Sequence, residues 1–89
     1  MLIDSFILTE HALAEMTKRN IPLETVTEVL RGPEQIVEER WGRNCYQSRI
    51  VFPNGGTYLV RIIVDFSDIP PTVRTVYRTS KVMKYWRLQ

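Results

Sequence analysis

The apolar positions of this sequence follow two rhythms, and the change comes at Pro33. Before it, Ala12, Leu13 and Met16, then Leu23, Val26, Val29 and Leu30, recur at the three- and four-residue intervals of amphipathic helices. Thr9 offers an N-cap hydroxyl and Glu10 places an anion in the first turn, which predicts a helix from Glu10 to Arg19. Asn20 suits the left-handed residue that ends it. Pro22 fits the start of a second helix, and Gly32-Pro33 closes that one. Ahead of both, Leu2 to Leu8 reads as a short strand or extended lead-in with Ile3, Phe6 and Leu8 turned inward.

From Glu34 onward the period falls to two. Glu34–Trp41, Arg43–Phe52, Thr57–Phe66 and Pro71–Thr79 are strand candidates, separated by Gly42, by Pro53-Asn-Gly-Gly56 and by Ser67-Asp-Ile-Pro70. Asn54-Gly55 supplies positive φ for a tight hairpin. Thr57–Phe66 is the most apolar run and is expected to be the central strand. Its Tyr58, Val60, Ile62, Val64 and Phe66 share the face the helices must cover, leaving Leu59, Arg61, Ile63 and Asp65 on the other. Val82, Tyr85 and Trp86 return to helical spacing and predict a short C-terminal helix docked on the sheet. The whole pattern predicts one α+β domain over residues 1–89. A helical hairpin packs on one face of a twisted four-stranded antiparallel sheet, because consecutive strands usually pair.

Length and composition narrow the function classes. A chain of 89 residues, 44% hydrophobic and 25% charged, fills one modest core and leaves no room for a long disordered tract. Met1–Leu8 is too short for a membrane span and carries Asp4 in its middle, so a cytoplasmic protein without a membrane partner is expected. One cysteine, Cys45, and one histidine, His11, supply neither a disulfide nor a familiar zinc site, and neither metal nor cofactor is expected. The charge is divided unevenly: residues 1–39 sum to −5 and residues 40–89 to +7. If the halves become different faces, the basic one attracts polyanions; the plainer alternative is that the cations only solubilise exposed strands.

Candidate chemistry gathers on the strands. Alternation groups Cys45, Gln47, Arg49 and Val51 on one face, and Arg74, Val76 and Arg78 on one face of the last strand. If these sets point the same way as Arg61, then Arg49, Arg61, Arg74 and Arg78 form a guanidinium floor for phosphates. Trp41, Tyr46, Tyr77, Tyr85 and Trp86 interleave with them, a mixture suited to single-stranded RNA. On such a floor Arg61, fixed in the central strand, is expected to matter more for RNA affinity than Arg87 in the tail. His11 is the only imidazole and so the obvious general acid–base group. Cys45 reads as a small buried hydrophobe.

Leu8-Thr-Glu-His-Ala12, Arg19-Asn-Ile-Pro-Leu-Glu24, Leu30-Arg-Gly-Pro-Glu-Gln-Ile-Val37 and Thr75-Val-Tyr-Arg-Thr-Ser-Lys81 together resemble a family of small uncharacterised bacterial proteins grouped with the RelE/ParE toxin superfamily. The resemblance implies a helical hairpin on an antiparallel sheet whose open face, in RelE-like members, binds messenger RNA on the ribosome and cleaves it without metal. ParE-like members poison DNA gyrase instead. It implies a toxin-like endoribonuclease acting on RNA or the ribosome and restrained by a cognate antitoxin protein; the alternatives are a non-catalytic binding module on the same fold or a gyrase-directed ParE-like toxin. Tyr77, Arg78, Lys81 and Tyr85 fall where RelE-like toxins carry active-site basic and aromatic groups, and His11 and Arg78 match the family's own motif. The implied catalytic set is thus His11, Arg78, Lys81 and Tyr85, with Arg49, Arg61, Arg74 and Tyr77 binding the nucleic acid.

Overall fold

The computed structural model describes residues 2–88. Its elements are β1 (Ile7–Leu8), α1 (Glu10–Lys18), α2 (Leu23–Arg31), β2 (Gln35–Glu38), β3 (Arg43–Val51), β4 (Thr57–Asp65), β5 (Thr72–Thr79) and α3 (Val82–Tyr85), with a 3-10 turn at Arg40–Gly42. Helix ends lie where local chemistry requires. The Thr9 hydroxyl accepts from the Ala12 N–H at 3.0 Å, filling one donor that a helix start leaves open. Asn20, at φ 53, makes the left-handed turn after α1, and α2 starts directly after Pro22.

The strands form one sheet in the order β1-β5-β4-β3-β2. From β2 to β5 neighbours in sequence pair antiparallel, as the pattern predicts. The expected four-stranded antiparallel sheet nevertheless becomes five-stranded and mixed, because β1 joins β5 in parallel through Ile7↔Thr72 and Leu8↔Val73. Two residues carry no readable period, and this pairing breaks the preference for sequence neighbours. β1 and β2 therefore occupy opposite edges, and the helical hairpin that joins them crosses one face of the sheet, α1 against β5 and α2 against β3 and β4.

Beneath the hairpin lies the core. Val60, Ile62 and Val64 of β4 pack with Ala12, Met16, Val26, Val29 and Leu30, while Tyr58 and Phe66 close the margins. The other side of β4 is also covered, since Leu59, Arg61 and Asp65 are buried too. Leu13, expected in the stripe with Ala12 and Met16, is 48% exposed. With Leu23 and Val51 it edges a cleft of about 740 Å³ between the α1–α2 turn and the far end of β3.

β5 corrects a face assignment. Its two buried residues, Val73 and Val76, are three apart, and only a bulge lets both reach the core. Ile63 pairs with Thr75 but Val64 with Val73, so Arg74 is the extra residue. Tyr77 then stands opposite Arg61, and Val76 and Arg78 face the helices. The expected floor of Arg49, Arg61, Arg74 and Arg78 does not form, because burial of Val76 fixes the strand one residue away from that grouping.

Burial at the helix–sheet layer predicts that Leu30→Ala costs ~2–5 kcal/mol in urea unfolding, whereas Leu13→Ala costs about 0.5 kcal/mol. Equal losses would contradict the placement of the hairpin.

Candidate functional site

On the open face one buried guanidinium organises everything near it. Arg61, 6% exposed, donates from Nε to Gln47 Oε1 at 2.8 Å and from Nη1 to the Tyr77 hydroxyl. Its Nη2 lies 3.9 Å from Glu39 Oε2. The Tyr85 ring covers it, with the guanidinium carbon 4.4 Å from the ring centroid, and Tyr85 meets Tyr77 edge to face at 6.3 Å. Cross-strand register explains the cluster, since Gln47, Arg61 and Tyr77 are direct partners on β3, β4 and β5.

Residues 82–88 lie over this cluster. Gln47 Nε2 donates to Gln35 Oε1 at 2.8 Å and to the Tyr85 carbonyl at 3.3 Å. The Gln35 amide in turn grips the backbone of Arg87 from both sides, donating to its carbonyl at 2.6 Å and accepting from its N–H at 3.1 Å. That is the pairing an extra strand would make, supplied by one side chain. Trp86 stacks on Arg49, whose guanidinium carbon is 4.3 Å from the ring centroid. Gln35 and Gln47 are not among the site residues expected from the sequence. The available signal was a glutamine one alternation step from an arginine on a strand that had to be covered.

The remaining candidates disperse. Arg49 forms a forked pair with Glu34, Nε to Oε1 at 3.1 Å and Nη2 to Oε2 at 2.8 Å, and that bond holds the Glu34 carboxyl below its ordinary range. Arg74 is tied to Asp65 at 3.1 Å. Arg78, on the helix side, lies over Phe52 and Tyr58 at 4.2 and 4.5 Å. His11 is exposed beside β5, its Nε2 3.1 Å from Thr75 Oγ1. Lys81 is exposed at the start of α3. Of the implied catalytic set, Arg78 and Tyr85 therefore stand on opposite faces. Of the implied binding set, Arg61 and Tyr77 are together and already hydrogen-bonded to each other.

Burial and charge further limit the chemistry. Burial raises the Tyr77 hydroxyl above the usual phenol value, and the bond from Arg61 offsets this only in part, so Tyr77 is no general base near neutral pH. Burial pushes the Cys45 thiol up to about 11, which leaves no nucleophilic thiolate. Among the described residues no three His, Cys, Asp or Glu side chains converge to hold a metal ion, and no helix is long and apolar enough to cross a membrane.

A family model described as a domain of unknown function (DUF4258) matches residues 8–78, from the end of β1 to Arg78. The chain belongs to the DUF4258 family. The match takes in the helical hairpin, the strands from β2 on and the Arg61 cluster except its C-terminal cover. Lys81, Lys84, Tyr85 and Trp86 lie beyond the part that matches the DUF4258 model. No curated protein and no solved structure matches the chain.

Arg61→Ala strands Gln47 and Tyr77 without their partner, and a loss of ~2–4 kcal/mol in denaturant unfolding is expected, from two neutral polar groups left unmet and the packing of the side chain lost; Tyr77→Phe should cost about 1 kcal/mol. Asp65 is held at about 2, first by the hydroxyl and amide of Ser67 and then by Arg74. A lowered carboxyl stabilises the fold above its unfolded value of about 3.9, and that contribution is lost as pH falls from there towards the folded value. Melting temperature should therefore drop more steeply below about pH 4 in the wild type than in Asp65→Asn.

Proposed function

We propose that this chain is an RNA-binding module whose contact surface is the basic, aromatic C-terminal segment docked on the sheet. One observation carries the reading. Lys81, Lys84 and Arg87 are exposed, enter none of the ion pairs formed among the described residues, and share residues 80–88 with Tyr85, Trp86 and no acidic side chain. Unpaired cations supply affinity for phosphates, and rings beside them stack on unpaired bases. The excess of +7 in residues 40–89 adds long-range attraction for the same polyanion.

Arg49 and Arg61 support this surface and are not its contacts. Their guanidinium groups are engaged with Glu34 and with Gln47 and Tyr77, and turning them to a phosphate would leave those partners open. The sequence-based ranking of Arg61 above Arg87 for RNA affinity is accordingly reversed: Arg61 acts on stability and Arg87 on binding.

Binding without cleavage is the favoured form. Cleavage next to a 2′-hydroxyl needs a base, an acid and a phosphorane stabiliser at one phosphate. His11 is bonded to Thr75, Arg78 rests on Phe52 and Tyr58 behind the sheet, and Tyr85 covers Arg61 in front.

Fluorescence anisotropy with unstructured single-stranded RNA tests the proposal. Three phosphate contacts from this segment give a salt slope of at least about 2, so affinity should fall by at least roughly 20-fold between about 50 and 200 mM salt. Lys81→Ala, Lys84→Ala and Arg87→Ala combined should lower the slope by about 2. Absence of binding at low salt, or an unchanged slope in the triple variant, would sink the proposal.

A further inference from the structure

The turn between β2 and β3 contains a tryptophan where turn chemistry does not favour one. Trp41 has φ 58 and ψ 39, Gly42 has φ 70, and the Arg43 N–H bonds the Arg40 carbonyl, which makes Trp41 and Gly42 the central pair of a tight hairpin turn with both φ positive. The first of these positions belongs by preference to Asn, Asp or Gly, because a bulky side chain pays sterically for the left-handed conformation. Trp41 accepts that cost and yet contributes nothing to the core, since its ring is 81% exposed.

The surroundings of the ring indicate what it meets. An aromatic anchor for a protein partner usually sits among further groups that exclude water from it. Here its neighbours Glu39, Arg40 and Gly42 are all exposed, and a side chain added at Gly42 would find nothing within 4 Å. Two arginines stand close to Trp41 in the chain instead, one on either side. Arg40 enters none of the ion pairs among the described residues, and the Arg43 guanidinium stands 5.8 Å from the ring centroid. Arg43 is only loosely engaged: its Nε is 3.7 Å from Asp65 Oδ2 and is buried without a hydrogen-bond partner. A solvent-facing ring beside the loosely engaged Arg43 guanidinium, with the exposed Arg40 next to it in the chain, suits a flat base and its adjoining phosphates.

We propose that Trp41 is a stacking platform for an unpaired nucleobase, with Arg40 and Arg43 taking the adjoining phosphates. The inference rests on the RNA-binding reading above and extends it to a second contact. The two contacts are close enough for one strand of RNA to reach both. Glu39, next to the turn, approaches the guanidinium that Tyr85 covers, and Arg43 and Gln47 are four residues apart on β3, about 13 Å.

The test reads affinities in the wild-type background by anisotropy and reads emission in the full chain with Trp86→Phe, which leaves Trp41 as the single tryptophan reporter and whose own RNA affinity is the reference for that titration. Titration with a short oligoadenylate at low salt should quench Trp41 emission saturably, in step with anisotropy of the labelled RNA. Trp41→Ala should weaken binding about 10-fold, in line with one lost base stack, and Trp41→Phe should recover most of it. Trp41→Asn should raise the melting temperature, because the turn gains a residue it favours, while lowering RNA affinity as alanine does. If RNA binds with its full salt dependence but Trp41 emission and the Trp41→Ala affinity do not change, the inference fails and the RNA-binding reading stands; that is the result for a ring that contacts a protein. If the wild type binds no RNA at low salt, both fail.

Discussion

A guanidinium in the middle of a central strand must have its donors occupied, because in a poorly hydrated site an unmet charge costs several kcal/mol. Arg61 sets that requirement here, and much of the open face answers it. Gln47 and Tyr77 meet it from the neighbouring strands, Tyr85 shields it, and Glu39 balances part of its charge. Gln47 then needs partners for its own amide and finds them in Gln35 and the Tyr85 carbonyl. A single buried cation thus fixes where the C-terminal segment lies, through a chain of hydrogen bonds that ends on the backbone of Arg87.

The same logic separates two populations of cation. Arginines on the sheet are mostly engaged, by Glu34, by Asp65 or by aromatic rings, and their charge is spent within the fold. Lys81, Lys84 and Arg87 on the last segment, with Arg40 at the turn, are exposed and enter no ion pair among the described residues. Net charge alone would not have distinguished these groups.

What could be read from the sequence depended on how local its cause was. Thr9 as a cap, Asn20 as a left-handed stop, Asn54-Gly55 as a turn and the alternation of Tyr58 to Phe66 are each decided within a few residues, and each was legible. β1 was legible only as an extended stretch, because its pairing depends on a strand far along the chain. The faces of β5 were misread because the bulge at Arg74 answers to the burial of Val73 and Val76 together, a tertiary demand that simple alternation does not encode. The guanidinium floor failed for a related reason: Glu34 precedes Arg49 by 15 residues, and Gln47 precedes Arg61 by 14, so partners that occupy an arginine are invisible in its own neighbourhood. Trp41, which read as the last residue of a strand, is in fact the tip of a turn.

The parallel pairing of β1 with β5 has a consequence for biosynthesis. A ribosome releases the first strand and both helices long before Thr72 and Val73 emerge, and until then the edge that Ile7 and Leu8 will occupy does not exist. The β3–β4 hairpin, closed by a short turn, can form early, but the helical hairpin has only part of its sheet to cover. Completion waits for the last strand to reach the first. A nascent chain stalled before β5 therefore presents the apolar faces of α1 and β4 to solvent or to a chaperone, and the window in which it can aggregate is set by the time needed to translate residues 66–79.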